Sequence, residues 1–154
     1  MKKNIAVAMG GYSKEAEISL KSGEVVYKHL TKNKNYRVYR AQILKNGWTI
    51  KTDVGEEIPI DKSNFSVVIN GEPIHFDCVF NTIHGTPGED GLFQGYLQTL
   101  EIPQTACDYY QAALTFNKRD CISVLRANGI KTAKNIYINK GDDINPSAIV
   151  EYIG

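Results

Sequence analysis

The chain has 154 residues, with 18 Lys or Arg against 17 Asp or Glu, so its formal net charge is +1. This length suits one compact domain, or one domain with part of a second, and a hydrophobic fraction of 42% argues against extensive disorder. The near-zero charge argues against a nucleic-acid partner, and no apolar run approaches the roughly 18 residues of a membrane span. The three cysteines lack metal-binding spacing, so we expect reduced thiols, no metal site and a cytoplasmic protein.

The start of the chain predicts a strand, a long helix and a second strand. Residues Ile5 to Met9 are continuously apolar, as a strand covered on both faces requires. Ser13 is a candidate N-cap for the helix, and Gly23 would let that helix lie close to a sheet. The residues expected on the sheet-facing side of the helix are Ala16, Leu20, Gly23, Tyr27 and Leu30. With a second strand at 36–43, this order predicts the right-handed βαβ unit of a doubly wound, mainly parallel α/β sheet flanked by helices.

The middle of the chain, residues 44–76, predicts an elaboration beside the main sheet. Short strands are expected at 48–50, 65–69 and 72–76. Asn70-Gly71 predicts a tight hairpin turn, because both central residues of that turn take positive φ. Pro73 cannot donate a backbone hydrogen bond, so its strand should lie at a sheet edge.

The remaining sequence predicts two strands, at 78–83 and 130–138, and four helices. The helices are expected at 92–100, 109–116, 118–127 and from Asn145-Pro146 onward. Helical spacing assigns Tyr109 and Phe116 to the core. Because the last helix has barely two turns before the chain ends, we expect the sequence to be the N-terminal part of a longer protein.

Two polar segments follow predicted strands, at the sheet edge where doubly wound folds bind ligands. In the first, residues 10–20, Glu15 lies at the start of the helix. A carboxylate there favours a cation such as a substrate ammonium. The alternative is that Glu15 only complements the helix dipole, an effect worth about 0.3–1 kcal/mol.

The second polar segment is the glycine-rich loop from His84 to Gly91. A neutral histidine both donates and accepts hydrogen bonds near neutral pH, so His84 could orient a carboxylate or an amine. The alternative is that Thr86 and Glu89 form a capping box for the next helix and that His84 has no role.

Together the two segments resemble the N-terminal region of the D-alanine–D-alanine ligases, members of the ATP-grasp group. The family pattern Gly-Gly-x-Ser-x-Glu-x-x-(Val/Ile)-Ser-Leu is present at 10–20, and His-Gly-x-x-Gly-Glu-Asp-Gly-x-x-Gln-Gly at 84–95. An Ile-Pro-x-Thr step at 102–105 and an Ala-Leu-x-x-x-Lys run at 113–118 follow in order. The chain departs from the family at Ala106-Cys107, where Gly-Ser is usual, and at Asn117, where Asp is more usual.

The resemblance implies a Rossmann-like domain over residues 1–117 and the start of an ATP-grasp domain over 118–154. It also implies that Glu15 is the catalytic-site carboxylate that binds the ammonium of the first D-alanine. In the same scheme His84 lies beside that substrate, Ile18 contacts its methyl group, and Lys118 contacts an ATP phosphate. Mg²⁺ (or Mn²⁺) and most of the ATP would be bound by parts absent from this chain.

The implied reaction is the phosphorylation of one D-alanine by ATP to an acyl phosphate, which the amine of a second D-alanine attacks. The product, D-alanyl-D-alanine, serves peptidoglycan synthesis. The resemblance also implies a homodimer, and a chain that is inactive without the missing parts. The alternatives are an ATP-grasp ligase that makes D-alanyl-D-lactate and a stand-alone binding module that retains the fold.

Overall fold

The computed structural model describes residues 2–154, which contain seven strands and five helices. In chain order these are β1 (Lys3–Gly10), α1 (Ala16–Leu30), β2 (Tyr36–Leu44), β3 (Gly47–Lys51), β4 (Glu57–Pro59), β5 (Val67–Ile69), β6 (Glu72–Ile74), β7 (Cys78–Asn81), α2 (Leu92–Thr99), α3 (Tyr109–Phe116), α4 (Lys118–Ala127) and α5 (Pro146–Ile153). They form two units, of which one ends at Phe116 and the other is Asn117–Gly154.

The predicted first strand lies at the centre of the main sheet. From Ile5 onward every residue of β1 is buried, which explains its continuous apolar sequence. β1 pairs in parallel with β2, Ile5 lying opposite Val38, and in parallel with β7, Ile5 lying opposite Cys78. The α/β fold is therefore confirmed.

The antiparallel strands β3 and β4 extend the main sheet beyond β2, so that its order is β4-β3-β2-β1-β7. The prediction that residues 44–76 lie beside the main sheet is therefore wrong for β3 and β4. It is right for β5 and β6, which form a separate two-stranded sheet. The turn at Asn70-Gly71 has φ of 52° and 81°, and Pro73 lies on a strand with a single partner, both as predicted.

Helix α1 packs closely on the sheet at Gly23. An ideal Cβ at this position would lie 2.6 Å from Met9 Cβ and 2.9 Å from Thr82 Oγ1, so a larger residue would separate helix and sheet. The prediction of Ser13 as the N-cap is wrong, because α1 begins at Ala16 and the N-cap position is occupied by Glu15. The Ser13 hydroxyl lies before the helix, where it accepts from Glu15 N and donates to the loop after β7.

An aromatic cluster joins β3, the residue Phe65 before β5, and helix α2. Trp48 packs edge-to-face on Phe65, Phe93 and Tyr96, with ring centroids 6.2, 5.7 and 5.3 Å apart. Each such pair contributes about 0.5–1.5 kcal/mol beyond the area that it buries. The Tyr96 hydroxyl donates to the Lys62 carbonyl at 2.7 Å, and burial raises the pKa of Tyr96 to about 12.

The core assignments for α3 are wrong. Tyr109 and Phe116 are 49% and 46% exposed, while Ala112 is fully buried. The start of α2 approaches α3 so closely that a Cβ on Gly91 would meet the Tyr109 carbonyl oxygen. The Tyr109 backbone makes the close contact at Gly91, and about half of the Tyr109 surface remains exposed. Among residues 2–154, no helix is long and apolar enough to cross a membrane.

The second unit confirms two predicted helices and contradicts one predicted strand. α4 ends in a Schellman motif, in which Ile130 N donates to Leu125 O at 3.0 Å. α5 begins with Asn145 Oδ1 accepting from Ala148 N at 3.1 Å. Residues 130–138 are not a strand, and no strand is present in the described residues after β7. Apolar alternation makes a strand only where a neighbouring strand supplies hydrogen bonds.

A charged network ties the turn after β3 to α1 and β2. Arg40 donates to Glu24 Oε2 at 2.8 Å and to Asp53 Oδ1 at 2.6 Å, and its guanidinium lies 3.7 Å from the centre of the Tyr27 ring. The hydrogen bonds from Arg40 and then Tyr27 lower the pKa of Asp53 from its ordinary value of 3.8. Ionised Asp53 therefore stabilises the fold above that pH, and this contribution is lost as the pH falls through the lowered pKa.

Asp53→Asn should therefore reduce the free energy of unfolding at neutral pH by at most about 1 kcal/mol, because exposed ion pairs are weak. The difference from the wild-type chain should shrink below about pH 4. Urea unfolding at several pH values tests this, with Glu57→Gln, another exposed acid on the same hairpin, as the control. A difference that stays constant on acidification would contradict the assignment.

Candidate substrate-binding site

Two polar loops lie side by side at the carboxyl edge of the main sheet. They are residues 11–15, here the β1–α1 loop, and residues 82–91, here the β7–α2 loop. The chain runs from β1 through α1 to β2 on one side, while the later strand β7 pairs with β1 on the other side, so the strand order reverses at β1. The crevice at such a switch point is where open α/β sheets bind ligands.

The two loops are joined by direct hydrogen bonds. Tyr12 N donates to Thr86 O at 2.7 Å. The Ser13 hydroxyl donates to His84 O at 3.1 Å and accepts a hydrogen bond from Glu15 N at 3.0 Å. Ser13 thus connects the backbone of Glu15, the predicted carboxylate residue, with the backbone of His84, the predicted histidine.

Gly11 allows the loops to approach to backbone contact. Its φ is +108°, a conformation that other residues rarely adopt. An ideal Cβ here would lie 2.8 Å from Ile83 Cγ2 and 3.1 Å from His84 O. Any side chain at this position would push the β7–α2 loop away from β1.

The structure brings Glu15 next to the segment that contains His84. Glu15 Oε2 lies 3.7 Å from the place that a Cβ on Gly85 would occupy, so the carboxylate lies beside the residue that follows His84. Glu15 makes no side-chain capping bond to α1. Glu15 is exposed and His84 is half-buried, so both residues remain accessible to a ligand.

The capping-box alternative for Thr86 and Glu89 is wrong. Glu89 Oε2 accepts a hydrogen bond from Gly85 N at 2.8 Å, which closes the β7–α2 loop on itself. Helix α2 begins only at Leu92, after Gly91, and Leu92 N donates to Asp90 Oδ1 at 3.2 Å. The acids of this segment therefore shape the loop backbone.

Three polar side chains that the sequence analysis left without a role fix the loops from inside the fold. Ser19 is fully buried; its hydroxyl accepts from Gly10 N and donates to Thr82 O, both at 2.8 Å. Gly88 O accepts from Asn81 Nδ2 at 3.0 Å and from Gln94 Nε2 at 2.6 Å. The only signal for Ser19 and Gln94 in the sequence was their presence in the two long motifs.

Ser19→Ala should lower the free energy of unfolding by about 1–3 kcal/mol, because Gly10 N–H would be left buried without a partner. Ser22→Ala is the matched control, since Ser22 lies on the same helix and is only half-buried. We expect that control to change the free energy by less than about 0.5 kcal/mol in urea unfolding. Equal losses in both variants would show that the two hydrogen bonds of the Ser19 hydroxyl do not stabilise the fold.

The other predicted site residues lie on helix starts. Ile18 is on the first turn of α1, three positions after Glu15, and is 56% exposed. Lys118 is the exposed first residue of α4. Asn117 caps this helix by accepting from Arg119 N at 3.2 Å and Asp120 N at 3.4 Å. Asn and Asp cap helices equally well, so the departure from the usual Asp preserves the cap.

The second departure from the family pattern, Ala106-Cys107, is held by one side chain. Gln104 Oε1 accepts from Ala106 N at 2.7 Å, and Gln104 Nε2 donates to the carbonyls of Ala106 and Cys107, both at 2.9 Å. Gln104 therefore fixes this backbone without the usual Gly-Ser. Over residues 2–154, no group of three or more His, Cys, Asp or Glu side chains could hold a metal ion.

The fold defines an α/β domain of the doubly wound class, with two paired polar loops at the carboxyl edge of its main sheet. Residues 4–107 match the sequence profile of the family described as D-ala D-ala ligase N-terminus. The chain belongs to this family, and the resemblance of the two motifs is confirmed.

Individual relatives agree with this assignment. The D-alanine–D-alanine ligase of Christiangramia forsetii is 60% identical over 154 residues, which is 100% of this chain and 47% of the relative. The D-alanyl-alanine synthetase A of Vibrio cholerae superposes with a TM-score of 0.79 at 28% identity, over 97% of this chain and 44% of that one. A D-alanine–D-alanine ligase of Bacillus anthracis complexed with ATP superposes with a TM-score of 0.69 at 26% identity. That match covers 98% of this chain and 43% of the other. The chain therefore spans about half the length of the curated relatives it matches.

Proposed function

We propose that the chain is the substrate-side part of an ATP-dependent D-alanine–D-alanine ligase, and that Glu15 binds the ammonium of the first D-alanine. One observation carries the site assignment. The Glu15 carboxylate lies against Gly85 at the carboxyl edge of the sheet and makes no capping bond to its own helix. Membership of the ligase family supports the activity.

An ion pair with Glu15 would serve the reaction in two ways. It fixes the first amino acid so that its carboxylate faces the phosphoryl donor. It also keeps the amine protonated, and a protonated amine cannot act as a nucleophile. The amine of the second D-alanine is then the group that attacks the acyl phosphate and displaces phosphate.

His84 and Ile18 complete the proposed site for the first D-alanine. The half-buried His84 ring would hydrogen-bond the bound amino acid. The exposed Ile18 side chain, one helical turn beyond Glu15, would contact the methyl group. With the substrate carboxylate facing the phosphoryl donor, contacts to the ammonium and to the methyl group would fix three substituents of the α-carbon, and three fixed substituents distinguish the two configurations of alanine.

Of the site residues proposed in this chain, only Lys118 would contact ATP, and none would bind the metal ion. We place Lys118 against an ATP phosphate, in a part of an ATP-grasp domain that begins at 118. The unit boundary between Phe116 and Asn117 supports a domain start at this point. Since the described residues do not fit a metal site, Mg²⁺ or Mn²⁺ would be held by residues outside this chain.

The biological setting that we propose follows the family. The product would be D-alanyl-D-alanine for peptidoglycan synthesis in the cytoplasm, made by a homodimer. Because positioning and charge neutralisation carry most of phosphoryl transfer, the chain by itself should not turn over ATP. Turnover by the isolated chain would contradict that proposal.

The test is ATP-dependent phosphate release by the full-length gene product, with D-alanine, L-alanine and D-lactate supplied separately and D-alanine also paired with D-lactate. Release with D-alanine alone, and not with L-alanine, is the expected result. Release that requires D-lactate as second substrate would indicate a D-alanyl-D-lactate ligase. No release with any of them would leave the chain as a binding module and refute the ligase proposal.

A further inference from the structure

Tyr12 connects the β1–α1 loop to two distant parts of the first unit. Its backbone N–H donates to Thr86 O at 2.7 Å, in the β7–α2 loop. Its hydroxyl accepts a hydrogen bond from Trp48 Nε1 at 2.8 Å. Both side chains are half-buried, so water competes weakly for this bond.

Trp48 in turn contacts the helix that follows the β7–α2 loop. Its indole packs edge-to-face on Phe93 and Tyr96 of α2, with ring centroids 5.7 and 5.3 Å apart. Lys62 Nζ lies 5.0 Å from the centre of the Trp48 rings. One indole therefore reaches both loops, through a hydrogen bond to the first and through ring packing behind the second.

We propose that Tyr12 and Trp48 are a positioning pair for the carboxyl-edge site. The hydroxyl bond fixes the β1–α1 loop relative to α2, and Glu15 lies only three residues after Tyr12. Neither residue would touch D-alanine; the pair would act through the placement of Glu15 and His84. The expected effect on the KM for D-alanine rests on the proposed function. The expected effect on the rigidity of the two loops does not.

The kinetic test uses Tyr12→Phe in the full-length gene product, which keeps the ring and removes the hydroxyl. We expect the KM for the first D-alanine to rise about two- to tenfold, the effect of losing one hydrogen bond, and kcat to change by less than about twofold. Tyr36→Phe is the matched control, since Tyr36 is a half-buried tyrosine at the opposite end of the sheet. Equal KM values in the two variants would overturn the proposal.

The structural test uses amide hydrogen exchange in the chain itself and needs no ligand. Tyr12→Phe should accelerate exchange at the Gly85 and Glu15 N–H groups by about two- to tenfold over Tyr36→Phe. Trp48 is the only tryptophan in the chain, so its single indole N–H signal reports the lost bond directly. If the wild-type protein shows no D-alanine-dependent reaction, the proposed function fails. The exchange measurement then decides by itself whether Tyr12 and Trp48 fix the two loops. Unchanged exchange at both loops would overturn the positioning pair.

Discussion

Glu15→Gln in the full-length gene product should lower kcat/KM for D-alanine by about 10- to 100-fold. Glutamine has the shape of glutamate but carries no charge, so the ion pair with the substrate ammonium would be lost. Hydrogen bonds to charged groups contribute about 1.5–3 kcal/mol, which corresponds to that range. Phosphate release measured over a range of D-alanine concentrations gives both kcat and KM.

Glu17→Gln is the matched control for this experiment. Glu17 is an exposed acid on the same helix turn, and its partner is Lys21, with Nζ 2.9 Å from Glu17 Oε1. Such exposed pairs contribute little, so kcat/KM should stay at the wild-type value. If Glu15→Gln also leaves kcat/KM unchanged, Glu15 only complements the helix dipole.

Gly11→Ala should lower the free energy of unfolding by about 2–5 kcal/mol. About 1–2 kcal/mol of this comes from forcing an alanine into positive φ. A further 1–3 kcal/mol, roughly, comes from the new Cβ pressing on Ile83 and the His84 carbonyl. Urea unfolding of the chain measures the sum.

Gly71→Ala separates the two contributions. Gly71 has φ +81°, but no atom lies within 4 Å of where its Cβ would be. This variant should lose only the backbone term, about 1–2 kcal/mol. A loss in Gly11→Ala no larger than in Gly71→Ala would mean that the two loops are not in backbone contact.

Elements whose conformation is determined by a short stretch of their own sequence were predictable. The apolar run of β1 requires burial on both faces, and Asn70-Gly71 requires a hairpin, whatever the rest of the chain does. The meeting of the two polar loops was also predictable, because loops after parallel strands lie at one sheet edge. Glu15 and the His84 segment do meet there.

Features that depend on a distant partner were not predictable. Residues 130–138 alternate like a strand but have no neighbouring strand among the described residues. Tyr109 has helical spacing but is 49% exposed, because its backbone carbonyl makes the close contact at Gly91, just before α2. The role of Ser13 depends on the loop that approaches it. The bond between Tyr12 and Trp48 joins residues 36 positions apart, and no local pattern indicates it.

The most direct test of the Glu15 assignment is a crystal structure of the full-length gene product with D-alanine and a non-hydrolysable ATP analogue. It should place the ammonium nitrogen of one D-alanine about 2.7–3.2 Å from a Glu15 carboxylate oxygen, with His84 beside the same molecule. A D-alanine whose ammonium is paired with another acid, with Glu15 facing solvent, would contradict it.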